Sequence, residues 1–232
     1  MKRDSAAHHD QIESPSHGGV PDQPIEYPYL RNALLGQPVW EPPSLEAVST
    51  SPGTVSIDEL VDAEAVTVHT APPTVGVTNG ETPVWSAKDV RLGRAPSRWG
   101  NAETSGAVTV RKGDVAVVVG TESAVQVCMD DGVLLGPGVQ LLRVNVKAVD
   151  PHFLAGVLRA AVEAAVGGHI DLYQVAVPRL PLAEQRCYGV AFEQLIQLEA
   201  AGRRQRENIE HLVRVGFSGL AHGRLHPVAG GE

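Results

Sequence analysis

Between residues 107 and 146 the apolar positions fall in short runs broken by Gly, Asp and Pro: Ala107 to Val110, Val115 to Val119, Ala124 to Met129 and Val139 to Val146. Valine-rich runs of this length, bounded by turn pairs such as Asp131-Gly132, predict β-strands. Shorter runs at Ala65 to His69, Thr74 to Thr78 and Pro83 to Trp85 carry the same signal upstream, with Asn79-Gly80 as a turn between the last two. After residue 150 the period changes. Phe153, Leu154, Val157, Leu158, Ala161, Val162 and Ala165 recur in steps of three and four, which predicts a helix from Pro151 to about Val166, with Asp150 as its N-cap. Ser56 followed by Glu59 and an apolar pair predicts a short capped helix at the start of the ordered part. Leu172 to Val177 reads as the last strand.

From Leu182 to about Ala221 there is no proline, and Ala, Leu, Glu, Gln and Arg dominate. Pro178 and Pro181 hold the approach extended, and Glu184 lies in the first turn beside the positive end of the dipole. A helix of roughly 40 residues would be about 60 Å long, far more than a small domain needs. Tyr188, Phe192, Leu195, Gly202, Ile209, Val213, Gly216 and Leu220 fall on one seam with steps near those of a coiled coil. Glu199 and Arg206 interrupt it. Tyr188, Phe192, Leu195, Ile209, Val213 and Leu220 are therefore the candidate partner interface. The reading is a packed or antiparallel two-helix spacer; the alternative is an amphipathic helix lying on its own domain.

Charge divides the chain. Residues 1–70 hold three basic and eleven acidic residues, and the other 162 hold sixteen of each, so the net charge of −8 belongs to the first 70 residues. The remainder can still present a basic face. The expected organisation is a disordered acidic leader over 1–50, a β-rich domain over 51–180, a long helix over 181–226 and a tail over 227–232. The leader's His8, His9 and His17 are too irregularly spaced for a metal site, and Tyr27, Tyr29, Leu30, Leu34, Leu35 and Trp40 form a denser patch able to dock on the body or on a partner. Cys128 and Cys187 lack metal-ligand spacing and read as buried, unbridged hydrophobes of a reducing, cytoplasmic setting. No run of 18 apolar residues suggests a membrane span.

The candidate chemistry lies between residues 85 and 112, where Lys88, Arg91, Arg94, Arg98, Arg111 and Lys112 face only Asp89 and Glu103. Arginine grips a phosphate, or the O6 and N7 atoms of guanine, with two hydrogen bonds. Gly93, Pro96 and Gly100 suit a loop lying close to a duplex, with Ser97 as a further donor and Trp99 able to anchor or stack. The alternative is a solvated loop whose arginines pair with local acids. Thr121, Ser123, Gln126 and Gln140 are polar positions on or beside strands, able to touch a base edge or to face water. Gly120 to Ser123 lacks the following lysine of a phosphate loop. Glu41-Pro42-Pro43-Ser44 and Ala71-Pro72-Pro73-Thr74 do not fit the Asn/Asp-Pro-Pro-aromatic pocket of an adenine methyltransferase. His152, His169 and His211 belong to no catalytic set. The expectation is a chain that is not an enzyme and binds no metal or cofactor.

Leu180-Pro181-Leu182-Ala183-Glu184-Gln185-Arg186, followed by the long helix, resembles the junction of target-recognition domain and spacer helix in type I restriction-modification specificity subunits; the same module occurs in the C-terminal part of some N-6 adenine DNA methyltransferases. Gly113-Asp114-Val115 with its apolar strand, Leu134-Leu135-Gly136-Pro137 as a turn, Leu141-Leu142-Arg143 as the next strand, Asp150-Pro151-His152-Phe153-Leu154 and Gly167-Gly168-His169-Ile170 follow in the family's order. The resemblance covers roughly residues 75 to 226. It implies an α+β fold, a β-rich target-recognition domain followed by one long C-terminal spacer helix. It also implies sequence-specific binding of double-stranded DNA alongside a methyltransferase subunit or a second specificity half, which a homodimer would supply. A methyltransferase C-terminal fragment and a helical interaction adaptor stand as alternatives.

Overall fold

The computed structural model describes residues 26–36, 41–47, 49–76, 80–120, 122–165 and 170–228. His8, His9, His17, Trp40, Thr78, Asn79, Thr121 and His169 lie outside the described residues, as does the glycine pair before His169. Contacts group the chain into two units, Trp40–Gly202, and the two ends Met1–Val39 with Arg203–Glu232.

In chain order the elements are α1 (Glu26–Leu35), β1 (Thr54–Ser56), α2 (Ile57–Asp62), β2 (Val66–Thr70), β3 (Thr82–Trp85), α3 (Ala87–Leu92), β4 (Arg98–Gly100), β5 (Thr109–Val110), β6 (Val115–Val118), β7 (Ala124–Val127), β8 (Val133–Leu135), β9 (Gln140–Val144), α4 (Pro151–Ala164), β10 (Ala176–Pro178) and α5 (Leu182–Ala221). The fold is a mixture of helix and open sheet ending in one long helix, as the residue patterns predict.

The central sheet has the order β2-β9-β6-β7 and is antiparallel throughout. Val115 to Val118 read as an unbroken apolar run because both faces of this sheet are covered, and all four residues are buried. One face carries Val66, Val115, Val117 and Leu142 and packs on Phe153, Leu154, Leu158 and Val162 of α4 and on Ile57 of α2. The other carries Ala116, Val118 and Leu141 and packs on Trp85, Val90, Val110 and Leu135. Each large side chain so enclosed contributes about 1.5–3 kcal/mol. The second sheet has the order β4-β3-β8-β5, with β3 and β8 parallel. A small ladder joins β1 to β10, tying the start of the Trp40–Gly202 unit to the approach to α5.

Local signals fix the helix starts. Ser56 and Glu59 exchange reciprocal hydrogen bonds of 3.1 and 2.7 Å at α2, as their spacing predicts. Asp150 accepts the Phe153 N–H at 2.9 Å at α4. Other expectations are corrected. The stretch from Lys88 to Gly100 is not one loop: α3 and β4 occupy most of it. Leu134 and Leu135, read as a turn, are in strand β8. Leu172 to Val177 is a 3-10 turn, Leu172–Gln174, leading into the short β10, and Pro73–Gly76 is a 3-10 turn where a strand was expected. Tyr27, Tyr29, Leu30, Leu34 and Leu35 of the expected disordered leader form helix α1.

His69, on β2 opposite Leu141, has its Nε2 buried with no hydrogen-bond partner among the described residues. Burial and then the Arg143 guanidinium lower its pKa, against the opposing pull of Asp114.

Candidate nucleic-acid interface

Helix α3 is built around a buried charge. Ser86 is its N-cap, and Asp89, three residues on, has no exposed surface. The Asp89 carboxylate accepts hydrogen bonds from the Ser86 hydroxyl at 2.5 Å, the Ser86 amide at 3.2 Å, the Arg94 guanidinium at 2.8 Å, and the Ser97 hydroxyl and amide at 2.6 and 3.3 Å. Burial alone would raise its pKa. Hydrogen bonds from Ser86, Ser97 and Arg94 outweigh burial and hold the carboxyl well below the usual carboxylate range. Gly93 ends the helix in the left-handed conformation, at φ 61°, which turns the chain back toward Asp89.

Of the residues expected to touch DNA, Lys88 and Arg91 are exposed one turn apart on α3. Arg91 donates through Nε to the Glu122 carbonyl at 2.7 Å, bracing α3 on the turn between β6 and β7. The Gln126 amide lies under Gly93: a Cβ there would stand 3.1 Å from Nε2. Arg94 and Ser97 turn inward onto Asp89, so for Arg94 the local-pairing alternative describes the structure. Arg98 and Trp99 follow on edge strand β4, opposite Val84 and Pro83, and strand alternation points them to opposite faces. Trp99 is 62% exposed.

Arg111 and Lys112 stand apart from this group. They follow β5, the opposite edge of the sheet from β4, three strand spacings or about 14 Å away. The Arg111 amide donates to buried Asp114, which also takes a two-pronged contact from Arg143 at 3.1 and 2.7 Å, and the Lys112 amide donates to Asp131 at 2.8 Å. The Ser123 hydroxyl closes its own turn on Gly120. Asp89 went unread as a site residue, although Ser86-x-x-Asp89 is a capping signature.

The arm begins with a splice. Gln185, 8% exposed, accepts the Asp150 N–H at 3.0 Å and donates to the Leu180 and Ala148 carbonyls at 2.9 and 3.4 Å. Beyond it α5 runs alongside α4 in the same direction. Gly189 sits against Asp150 and Phe153, Tyr188 meets the Phe153 ring edge-on at 6.0 Å, Phe192 packs over Gly156, and Arg159 bridges to Glu199 at 2.6 Å. Two of the six candidate interface residues, Tyr188 and Phe192, thus lie against the chain's own α4. Leu195, Ile209, Val213 and Leu220 are exposed, as is Phe217 at 75%. In the unit of chain ends, Gly216 receives the Tyr27 ring, Glu26 lies 3.6 Å from His211, and Leu225 folds over Gly219. Cys128 is buried; Cys187, expected to be buried, is exposed on α5; both are unbridged. Among the described residues no His, Cys, Asp or Glu cluster could hold a metal ion, and no helix is long and apolar enough to cross a membrane.

No protein-family profile matches the sequence, and no curated protein does. Solved structures do. The HsdS subunit from Thermoanaerobacter tengcongensis superposes with a TM-score of 0.51 over 81% of this chain and 47% of its own, at 23% identity. A chain from a study of complex assembly and conformational transition in the type I restriction-modification system gives 0.52 over 83% and 49%, at 20% identity. The fold is that of a type I HsdS subunit. At this level of identity the HsdS likeness concerns backbone architecture, and this chain spans about half the length of the structures it resembles.

Proposed function

We propose that this chain is the target-recognition component of a type I restriction-modification or DNA adenine-methylation system, non-catalytic by itself and acting in the cytoplasm. One observation carries this reading: a sheet-rich body with the HsdS fold exposes Lys88, Arg91 and Arg98 and leads directly into a helix of 40 residues. The body would grip double-stranded DNA through Lys88, Arg91, Arg98 and Trp99, with Arg94 and Ser97 supporting them. Arg111 and Lys112 would form a second phosphate-holding point. Phosphate contacts supply affinity and register, while contacts to base edges select sequence. Leu195, Ile209, Val213 and Leu220 would dock a methyltransferase subunit or a second specificity half, which a second copy of this chain would supply. The methyltransferase partner would flip the target adenine from the stack and transfer the methyl group, because a stacked base cannot enter an active site.

Titrating the full chain against a mixed-sequence duplex at two salt concentrations tests the central claim. Affinity should fall steeply with salt, with a log–log slope of about −0.9 per phosphate held. Binding indifferent to salt, or absent at low salt, would sink it.

A further inference from the structure

Asp89 and Asp114 are the buried carboxylates among the described residues. Asp114 has partners spread over the body: Arg143 on β9 and the turn before β6. Every hydrogen bond to the Asp89 carboxylate comes from Ser86, Arg94 or Ser97, within twelve consecutive residues. Core packing does not need that arrangement, since Val90 and Trp85 already anchor the helix and the strand before it. The buried carboxylate therefore sets the path of one surface loop.

That path ends at the candidate reading edge. Ser97 is held by both hydroxyl and amide, and the next residue is Arg98, the first of β4. Arg94 is committed as well: its Nε bonds to Asp89 and its Nη2 to the Ser97 hydroxyl at 3.1 Å. Charge pairing within the loop thus ties down one arginine, whose side chain stays 43% exposed, while it fixes the next. We propose that Asp89 is a positioning residue for DNA reading: it holds Arg94 and Ser97 to itself so that Arg98 and Trp99 are presented on β4, and Arg94 makes no phosphate contact. This rests on the DNA-reading function proposed above.

The test uses the full chain, a random-sequence duplex pool, and the tightest-binding duplex selected from that pool. Arg98→Gln should make the salt slope about one unit shallower, the signature of a lost phosphate contact. Arg94→Gln should leave the slope unchanged, lower the preference for the selected duplex over the pool by about tenfold, and speed amide exchange over residues 93–99. Asp89→Asn should behave like Arg94→Gln. Should Asp89→Asn fail to fold, Ser97→Ala, at an exposed position, tests the same latch. A slope one unit shallower in Arg94→Gln, with exchange and preference unchanged, would make Arg94 a direct contact and overturn the proposal. So would latch variants with wild-type preference. A wild-type chain that binds no duplex would instead remove the DNA-reading function itself, and the positioning role with it.

Discussion

Between Leu182 and Glu199 helix α5 is held to its own domain at four points, by Gln185 on Asp150, Gly189 against Phe153, Phe192 over Gly156 and Glu199 on Arg159. Between Ile209 and Leu220 it keeps an exposed apolar stripe, and only its Gly216 and Gly219 side is covered, by Tyr27 and Leu225. The distal stretch is also the poorer helix former, with two glycines and two valines among twelve residues, and it differs further in what lies beside it. Packing, more than propensity, stabilises a helix in a protein. Val213 and Leu220 are already about half covered, so burying them on assembly would gain about 1 kcal/mol each, and Phe217, 75% exposed, about 2 kcal/mol. The assembly proposed for the arm would therefore fall to the distal stretch, and mutations in the two should separate stability from association.

Gly189→Leu should have the largest effect. A Cβ there would stand 2.5 Å from the capping Asp150 carboxylate and 3.2 Å from the Phe153 backbone nitrogen, so the helices must part and the cap is lost. The expected destabilisation is about 3 kcal/mol, from cap loss and overpacking together. Thermal melting should register it as a fall of roughly 6–12 °C. A variant melting like the wild type would show that α4 and α5 are not in close contact, and the comparison would collapse.

Long periodic segments were legible because their signal repeats. Helix α4 offers several turns of apolar steps and an Asp-Pro start, and α5 has no breaker over its length. Strands β4 and β8, three residues each, and helix α3, six residues, are shorter than any period that could declare them. Their structure is decided by neighbours: β8 forms because β3 and β5 pair with it on either side. Asp89 illustrates the limit at the candidate site. In sequence it is one acid in a basic run; its burial depends on Ser97, eight residues away, folding back over it. Gln185 was noticed within a family-like motif, but its role appears only once β10 and α4 bring Asp150 within 3.0 Å.

Acid provides a second, smaller separation of domain from arm. His69 has a lowered pKa in the folded domain, so the unfolded chain takes up its proton first as pH falls. Stability from this residue is complete above the ordinary histidine pKa, near 6.5, and declines as pH drops through it. Melting temperature should fall between pH 7.5 and 5.5 in the wild type and fall less in His69→Phe. An identical decline in that variant would assign the effect elsewhere.

The smallest expected effect bears most directly on the arm. Gly202 has nothing within 4 Å of the position a Cβ would take, so alanine meets no obstacle there and favours the helix by about 1 kcal/mol. Gly202→Ala should slow amide exchange around residue 202 by about fivefold, leaving unchanged both domain melting and the association proposed for the arm. The last point decides between two interfaces. Gly202 lies on the seam with Leu195 and Ile209, whereas Phe217 lies off it. If the added methyl weakened association, two helices would have to approach closely at Gly202, which would place the interface along that seam through the middle of the arm. If association held, the partner would be free to grip the distal stretch alone, with Phe217 as its principal anchor.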